Sequence, residues 1–212
     1  MYTPAFNRID DRALLIEAMR LWSFAILFGP DSDGHPSATH LPLVVLDEGE
    51  HGVLEGHFAR ANPHWKALAG KETLAVFAGP HSYVSPSLYA NPKSVPTWNY
   101  IAIHATGTLE ILEDDPNDET VTFARKDALV KNLISIHEPA FADQWNQQPI
   151  TYRISMTNGI VGFRIPITKI EGKFKLSQNR PDIDRQTVQA AHANGTPDEQ
   201  QLAAWMIKLG VL

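Results

Sequence analysis

Four short segments crowd polar side chains among strand-forming residues. They are Ala38-Thr39-His40-Leu41-Pro42, Gly56-His57-Phe58-Ala59-Arg60-Ala61-Asn62-Pro63, Val95-Pro96-Thr97-Trp98-Asn99-Tyr100 and Lys175-Leu176-Ser177-Gln178-Asn179-Arg180. The second has the clearest chemistry. A strand ends there beside His57 and Arg60, and Asn62-Pro63 starts a helix, since Asn caps and Pro tolerates the first helical position. The unpaired N–H groups and positive dipole end of a helix start suit a phosphate, and Arg60 adds a bidentate clamp. The same residues also make an ordinary strand-to-helix turn. Lys175 to Arg180 offers donors and acceptors along the edge of a planar ring, or lines a solvated loop. Trp98 and Tyr100 share one strand face, where they wall a flat ligand or fill the core. Ser85-Pro86-Ser87 reads as an irregular lid or rim, and His81 and Tyr83 before it are candidate proton donors.

Other chemistries lack their signatures. No cysteine is present, which removes disulfides, thiolate metal sites, iron–sulfur clusters and a Cys nucleophile together. Seven of the nine histidines lie between His35 and His104. Their spacings do not place two ligands one helical turn apart; His51 and His57 meet the parity of one strand face, but His51 sits in a turn. No metal site is assigned. Asp31-Ser32-Asp33-Gly34 lacks the later ligands of a calcium loop and reads as a hairpin turn. The glycine-rich phosphate loops, the Gly-x-Ser-x-Gly elbow and His-Glu-x-x-His are all missing.

The elements that must position these residues follow from patterning. Asp10 or Asp11 caps a helix to about Trp22, with Leu14, Leu15, Ala18, Leu21 and Trp22 on one face. Strands are expected at 23–28, 35–46, 53–59, 73–78, 97–112 (bent or bulged near Gly107), 159–167 and 168–176, with a short helix from Asn62 to about Ala69. Pro116 to about His137 is a helix stopped by Pro139. Thr196-Pro197-Asp198-Glu199 is a capping box for a final helix ending near Gly210. Hairpin-connected strands flanked by helices give an α+β fold with a mainly antiparallel sheet, and six to eight closely spaced strands suggest a barrel. The expected organisation is one domain over 1–181 and a helical tail over 182–212 that packs on the barrel or on a partner subunit.

The 212 residues are 43% hydrophobic and 20% charged, enough for an ordinary core and too little charge for a disordered chain. Acids outnumber bases 24 to 18, a net charge of −6, which argues against binding through nucleic acid phosphates. The tail has the outline of a helix–turn–helix, but its second helix opens on Asp198 and Glu199, where phosphate repulsion would oppose docking. No apolar run approaches the roughly 20 residues of a membrane span. Residues 1–8 show no basic region followed by an apolar stretch, so the expectation is a cytoplasmic protein.

The four segments, together with Gly79-Pro80-His81-Ser82-Tyr83-Val84-Ser85-Pro86-Ser87, come in an order that resembles the PaiB-type proteins, the FMN-binding negative transcriptional regulators. The likeness covers roughly residues 1–190 and departs at Leu88, where that family's pattern has Trp, and in the tail. The resemblance implies a split β-barrel of the flavin reductase and pyridoxamine phosphate oxidase type, assembled as a homodimer with FMN at the subunit interface. Carried over by position, Thr39, His40 and Leu41 lie along the flavin ring. His57, Ala59, Arg60 and Asn62 face the ribityl chain and phosphate, and Gln178, Asn179 and Arg180 reach the ring from the other subunit. The implied function is a redox or regulatory flavoprotein, an FMN-dependent oxidoreductase in its enzymatic reading, with no catalytic residue assigned. The alternatives are a repressor of protease and sporulation genes, and a haem-binding split barrel that takes one histidine as axial ligand.

Overall fold

Short apolar–polar alternations broken by Gly, Asp and Pro turns build a sheet-centred fold in the computed structural model, which describes residues 1–112, 114–115 and 117–212. In chain order the elements are β1 (Arg8–Ile9), α1 (Arg12–Leu21), β2 (Phe24–Pro30), β3 (Pro36–Pro42), β4 (Val44–Leu46), β5 (Val53–Ala59), α2 (His64–Leu68), β6 (Glu72–Val84), β7 (Thr97–Thr108) and β8 (Glu110–Ile111). There follow α3 (Glu119–His137), α4 (Ala142–Gln147), α5 (Ile150–Asn158), β9 (Ile160–Lys175), α6 (Asp182–Ala193) and α7 (Pro197–Lys208). The strand order is β3-β2-β6-β7-β9-β5-β4, with β1 and β8 also on β9. The sheet is antiparallel in the pairings of β1, β2, β4, β5 and β8. The α+β class and antiparallel sheet are those expected from the sequence.

The residues group into two compact units: Met19–Phe77 with Ala105–Ile170, and Met1–Ala18 with Ala78–His104 and Glu171–Leu212. In the first, Leu27, Leu54, Phe58, Phe77, Phe163 and Ile165 are fully buried, and the rings of Phe58 and Phe163 meet at 4.9 Å. His40 pairs across from Ile26, and His57 across from Gly162. In the second, Val84, Ile101, Ile103, Phe174 and Leu176 are buried, and Trp205 of α7 packs edge-on against Phe174 at 5.2 Å. Burying such side chains contributes roughly 1.5–3 kcal/mol each before entropy is charged against it.

The structure departs from the sequence expectations in identifiable ways. α1 buries Leu15, Ile16, Ala18 and Met19, while Leu21 is exposed, so its inward face is rotated from the expected one. β6 runs to Val84, well beyond Ala78, because Pro80 is accommodated within it. The 97–112 strand is interrupted at Leu109, close to the irregularity expected near Gly107, and divides into β7 and β8; the missing side chain of Gly107 makes room for the β9 backbone. The two strands expected over 159–176 are one, β9. The 35–46 strand breaks at Leu43, whose N–H turns to Ser23 O. The expected helix start at Pro116 lies outside the described residues; α3 begins at Glu119, with the Asp118 carboxylate accepting from the N–H groups of Thr120 and Val121. The capping box at Thr196 and Glu199 is present as expected. Among the described residues, no helix is long and apolar enough to cross a membrane.

Candidate functional site

β3 ends the strand order and pairs with β2, so its outer edge is a terminal one. Strand alternation splits the expected trio: Thr39 is half-buried, His40 is exposed and Leu41 is in the core. His40 lies against exposed Phe24, ring centroids 6.3 Å apart. Thr39 joins a compact polar cluster on its own side. Asn62 Nδ2 donates to Thr39 Oγ1 at 3.3 Å, and the same oxygen lies 2.8 Å from His64 Nδ1. The His64 N–H donates to Asn62 Oδ1 at 3.0 Å, so Asn62 caps the start of α2 as expected from its residue type. His64 itself is 6% exposed, and its Nε2 is buried without a protein partner among the described residues.

His57 stands half-buried on β5, also with a buried Nδ1 that lacks a partner among the described residues. Burial lowers its pKa below the ordinary imidazole value, which favours the neutral ring; like Glu55 two residues earlier, which bonds Asn132, it stands on the strand face toward α3. Ala59 ends the strand, exposed. Arg60 points elsewhere. Its Nε donates to Asn158 O at 2.7 Å, and one Nη donates to Ile160 O at 3.0 Å and to the Asp114 carboxylate at 3.1 Å. Lys126, buried on α3, pairs with Asp114 at 2.6 Å. Burial alone would raise the Asp114 pKa, but Lys126 and Arg60 together hold it below the usual carboxylate value. The guanidinium therefore fastens the corner between α5 and β9.

The other expected residues lie in the second unit. Ser177 takes the left-handed conformation (φ 65°) and is buried. It is held by fully buried Asn99, which exchanges hydrogen bonds with Ser177 Oγ at 3.1 and 3.2 Å. Gln178 folds back on its own loop: Oε1 accepts from Leu176 N–H and Nε2 donates to Phe174 O. Its amide is thus committed to ending β9. Asn179 and Arg180 line a cavity of about 180 Å³ together with Tyr89, Thr97, Asn99 and Lys175. A separate, open cavity of about 460 Å³ is walled by His81, Trp98 and Tyr100. Trp98 is 51% exposed and touches the rings of both His81 and Tyr83, so of its two expected roles it does not fill the core.

His81 and the start of α7 are tied together. The His81 N–H donates to Asp198 at 3.4 Å, and Glu199 accepts from Ser82 Oγ at 2.8 Å and from the Thr196 N–H at 2.7 Å. Sequence reasoning missed His64, Asn158 and Asp114 in the first cluster and Tyr89 in the second. Only His64 had a local signal, its place directly after the Asn62-Pro63 helix start.

Comparisons with known proteins agree with this architecture. A family model described as "Putative FMN-binding domain" matches residues 1–169. The chain is 33% identical over 208 residues to "Protease synthase and sporulation protein PAI 2" of Bacillus subtilis (strain 168), covering 97% of this chain and 96% of that one. An uncharacterised protein of Emericella nidulans, AN0679, is 32% identical, with 81% and 80% covered. Among solved structures, the FAD and heme binding protein from Mycobacterium smegmatis aligns with a TM-score of 0.57 at 17% identity, over 90% of this chain and 81% of that one. The conserved hypothetical protein Rv2991 from Mycobacterium tuberculosis aligns at 0.58 and 12% identity, over 85% and 94%. The fold is a split β-barrel.

Proposed function

The chain belongs to the FMN-binding family whose domain spans residues 1–169, and from that membership we propose that it is a redox flavoprotein holding FMN along the β3 edge and the β5–α2 corner. Its cofactor is FMN. When bound, FMN supplies reversible electron and hydride chemistry, while the protein binds, orients and tunes it. The donor set fits that group. A terminal strand edge offers main-chain partners to a planar heterocycle, and Thr39, Asn62 and His64 add side-chain donors and acceptors, with His64 Nε2 buried and without a partner among the described residues. That polar cluster at Thr39 is the observation that carries the assignment.

In this reading Thr39 and Asn62 contact the flavin beside His64. Arg60 sets the corner they stand on, through Asn158 and Ile160. Exposed His40 and Phe24 form a face toward a second copy of the chain, in a homodimer. Any influence on gene expression passes through flavin chemistry or a protein partner. The acids opening α7 are engaged with His81 and Ser82, and its one base, Lys208, is paired with Glu17.

Titrating the flavin-free protein with FMN tests the site. Saturable quenching of flavin fluorescence is expected, and Thr39→Val, which keeps the shape and deletes the hydroxyl, weakens binding about tenfold, near 1.4 kcal/mol. Unchanged affinity in Thr39→Val would place the flavin elsewhere.

A further inference from the structure

The cavity at the end of β9 concentrates positive charge on residues outside the Thr39–Asn62–His64 cluster. Lys175 and Arg180 line it, and no carboxylate stands among its described lining residues. Lys175 reaches the hydroxyl of Thr97, and Arg180 lies flat over the ring of Tyr89, 4.0 Å from its centroid. Tyr89 is almost fully buried, and its hydroxyl is enclosed without a partner among the described residues. Burial first, then the charges of Lys173 and Arg180, depress the Lys175 pKa, as expected where cations crowd without a counter-ion. The surroundings are rigid: Asn99 locks Ser177 in a strained backbone conformation, and Gln178 closes the loop. At about 180 Å³ the space falls below the roughly 300 Å³ at which pockets for drug-sized molecules begin. It suits one small charged group rather than a tricyclic ring.

We propose that this cavity is an oxyanion site, in which Lys175, Arg180, Thr97 and Asn179 hold a phosphate or carboxylate group. Guanidinium and ammonium donors make short, charge-assisted hydrogen bonds to such an anion. The site needs no flavin to form. Its anion is the acidic group of a substrate separate from the flavin.

Thermal unfolding of the full chain in sodium phosphate, against sodium chloride of equal ionic strength, tests the proposal. Phosphate-specific stabilisation that grows with concentration is expected, since a ligand of the native state alone raises its melting temperature. Lys175→Met and Arg180→Gln should weaken phosphate binding at least tenfold, and Arg180→Lys should retain most of it. Lys175→Met relieves crowding among cations, so in chloride it should melt no lower than the wild type. A shift retained in FMN-saturated protein supports a substrate anion, and a shift lost there would give the pocket to the cofactor's own phosphate and overturn the proposal. The absence of a phosphate-specific shift, or equal shifts in the wild type, Lys175→Met and Arg180→Gln, would overturn the proposal. FMN quenching is read separately, so failure of the flavin reading leaves this result interpretable.

Discussion

Gly107→Ala should cost about 3 kcal/mol or more, the upper end of what overpacking does. A Cβ there would sit 2.1 Å from Pro166 O, 2.8 Å from Ile165 Cγ2 and 3.0 Å from Pro166 C. The nearest atom is main chain, so no flexible side chain can yield, and β7 or β9 must shift. For a chain of this length about 3 kcal/mol corresponds to a melting temperature lower by roughly 6–12 °C. Gly159→Ala is the control: its Cβ would meet only Met156 O at 3.3 Å, and a loss within about 0.5 kcal/mol is expected at this exposed site. Parallel calorimetric melts of the two variants would decide. Equal, small losses would mean that β7 and β9 do not approach as closely as described. The contact matters for function because β9 is also the partner that holds β5, with Gly162 opposite His57.

Arg60→Ala is the second large effect, and its pattern separates two roles. The guanidinium joins Asn158 O, Ile160 O and Asp114. Removing it should lower stability by about 1–2 kcal/mol, discounted from the value of charge-assisted bonds because the side chain is partly solvated. As a positioning residue, Arg60 should affect FMN and riboflavin alike, each binding about tenfold more weakly. Asp114→Asn should have a smaller effect, since the bonds to Asn158 and Ile160 survive. A loss confined to FMN, with an unchanged melting temperature, would instead make Arg60 a direct phosphate ligand.

How far the sequence could be read depended on whether the deciding interactions were local. β5 was legible residue for residue because its alternation and flanking turns are local signals. The last helix was legible through its capping box. β6 was not, because Gly79-Pro80 reads as a stop, and only tertiary pairing shows that the proline can be carried within a strand. α4 and α5 were invisible for a related reason. Their Asp, Asn, Thr and Ile residues favour helix weakly, and distant groups hold them: Trp145 donates to Asp127 at 2.8 Å, and Arg153 pairs with Asp127 at 3.4 Å.

The candidate site divides in the same way. Asn62 announced its cap by residue type and position, and the order of the polar segments led to the family. The partners of Arg60 could not be found, because Asp114 and Asn158 lie 54 and 98 residues away along the chain. Gln178 looked like a ligand-facing amide, yet its donors and acceptors close on the main chain two and four residues back.

The most direct test of the account is the visible absorption spectrum of the purified protein, followed by denaturation and identification of the released chromophore. The account predicts flavin bands near those of free FMN, restored by adding FMN when the cofactor has been lost, and FMN itself in the supernatant. A sharp haem band, or a colourless protein that leaves the fluorescence of added FMN unquenched, would contradict it.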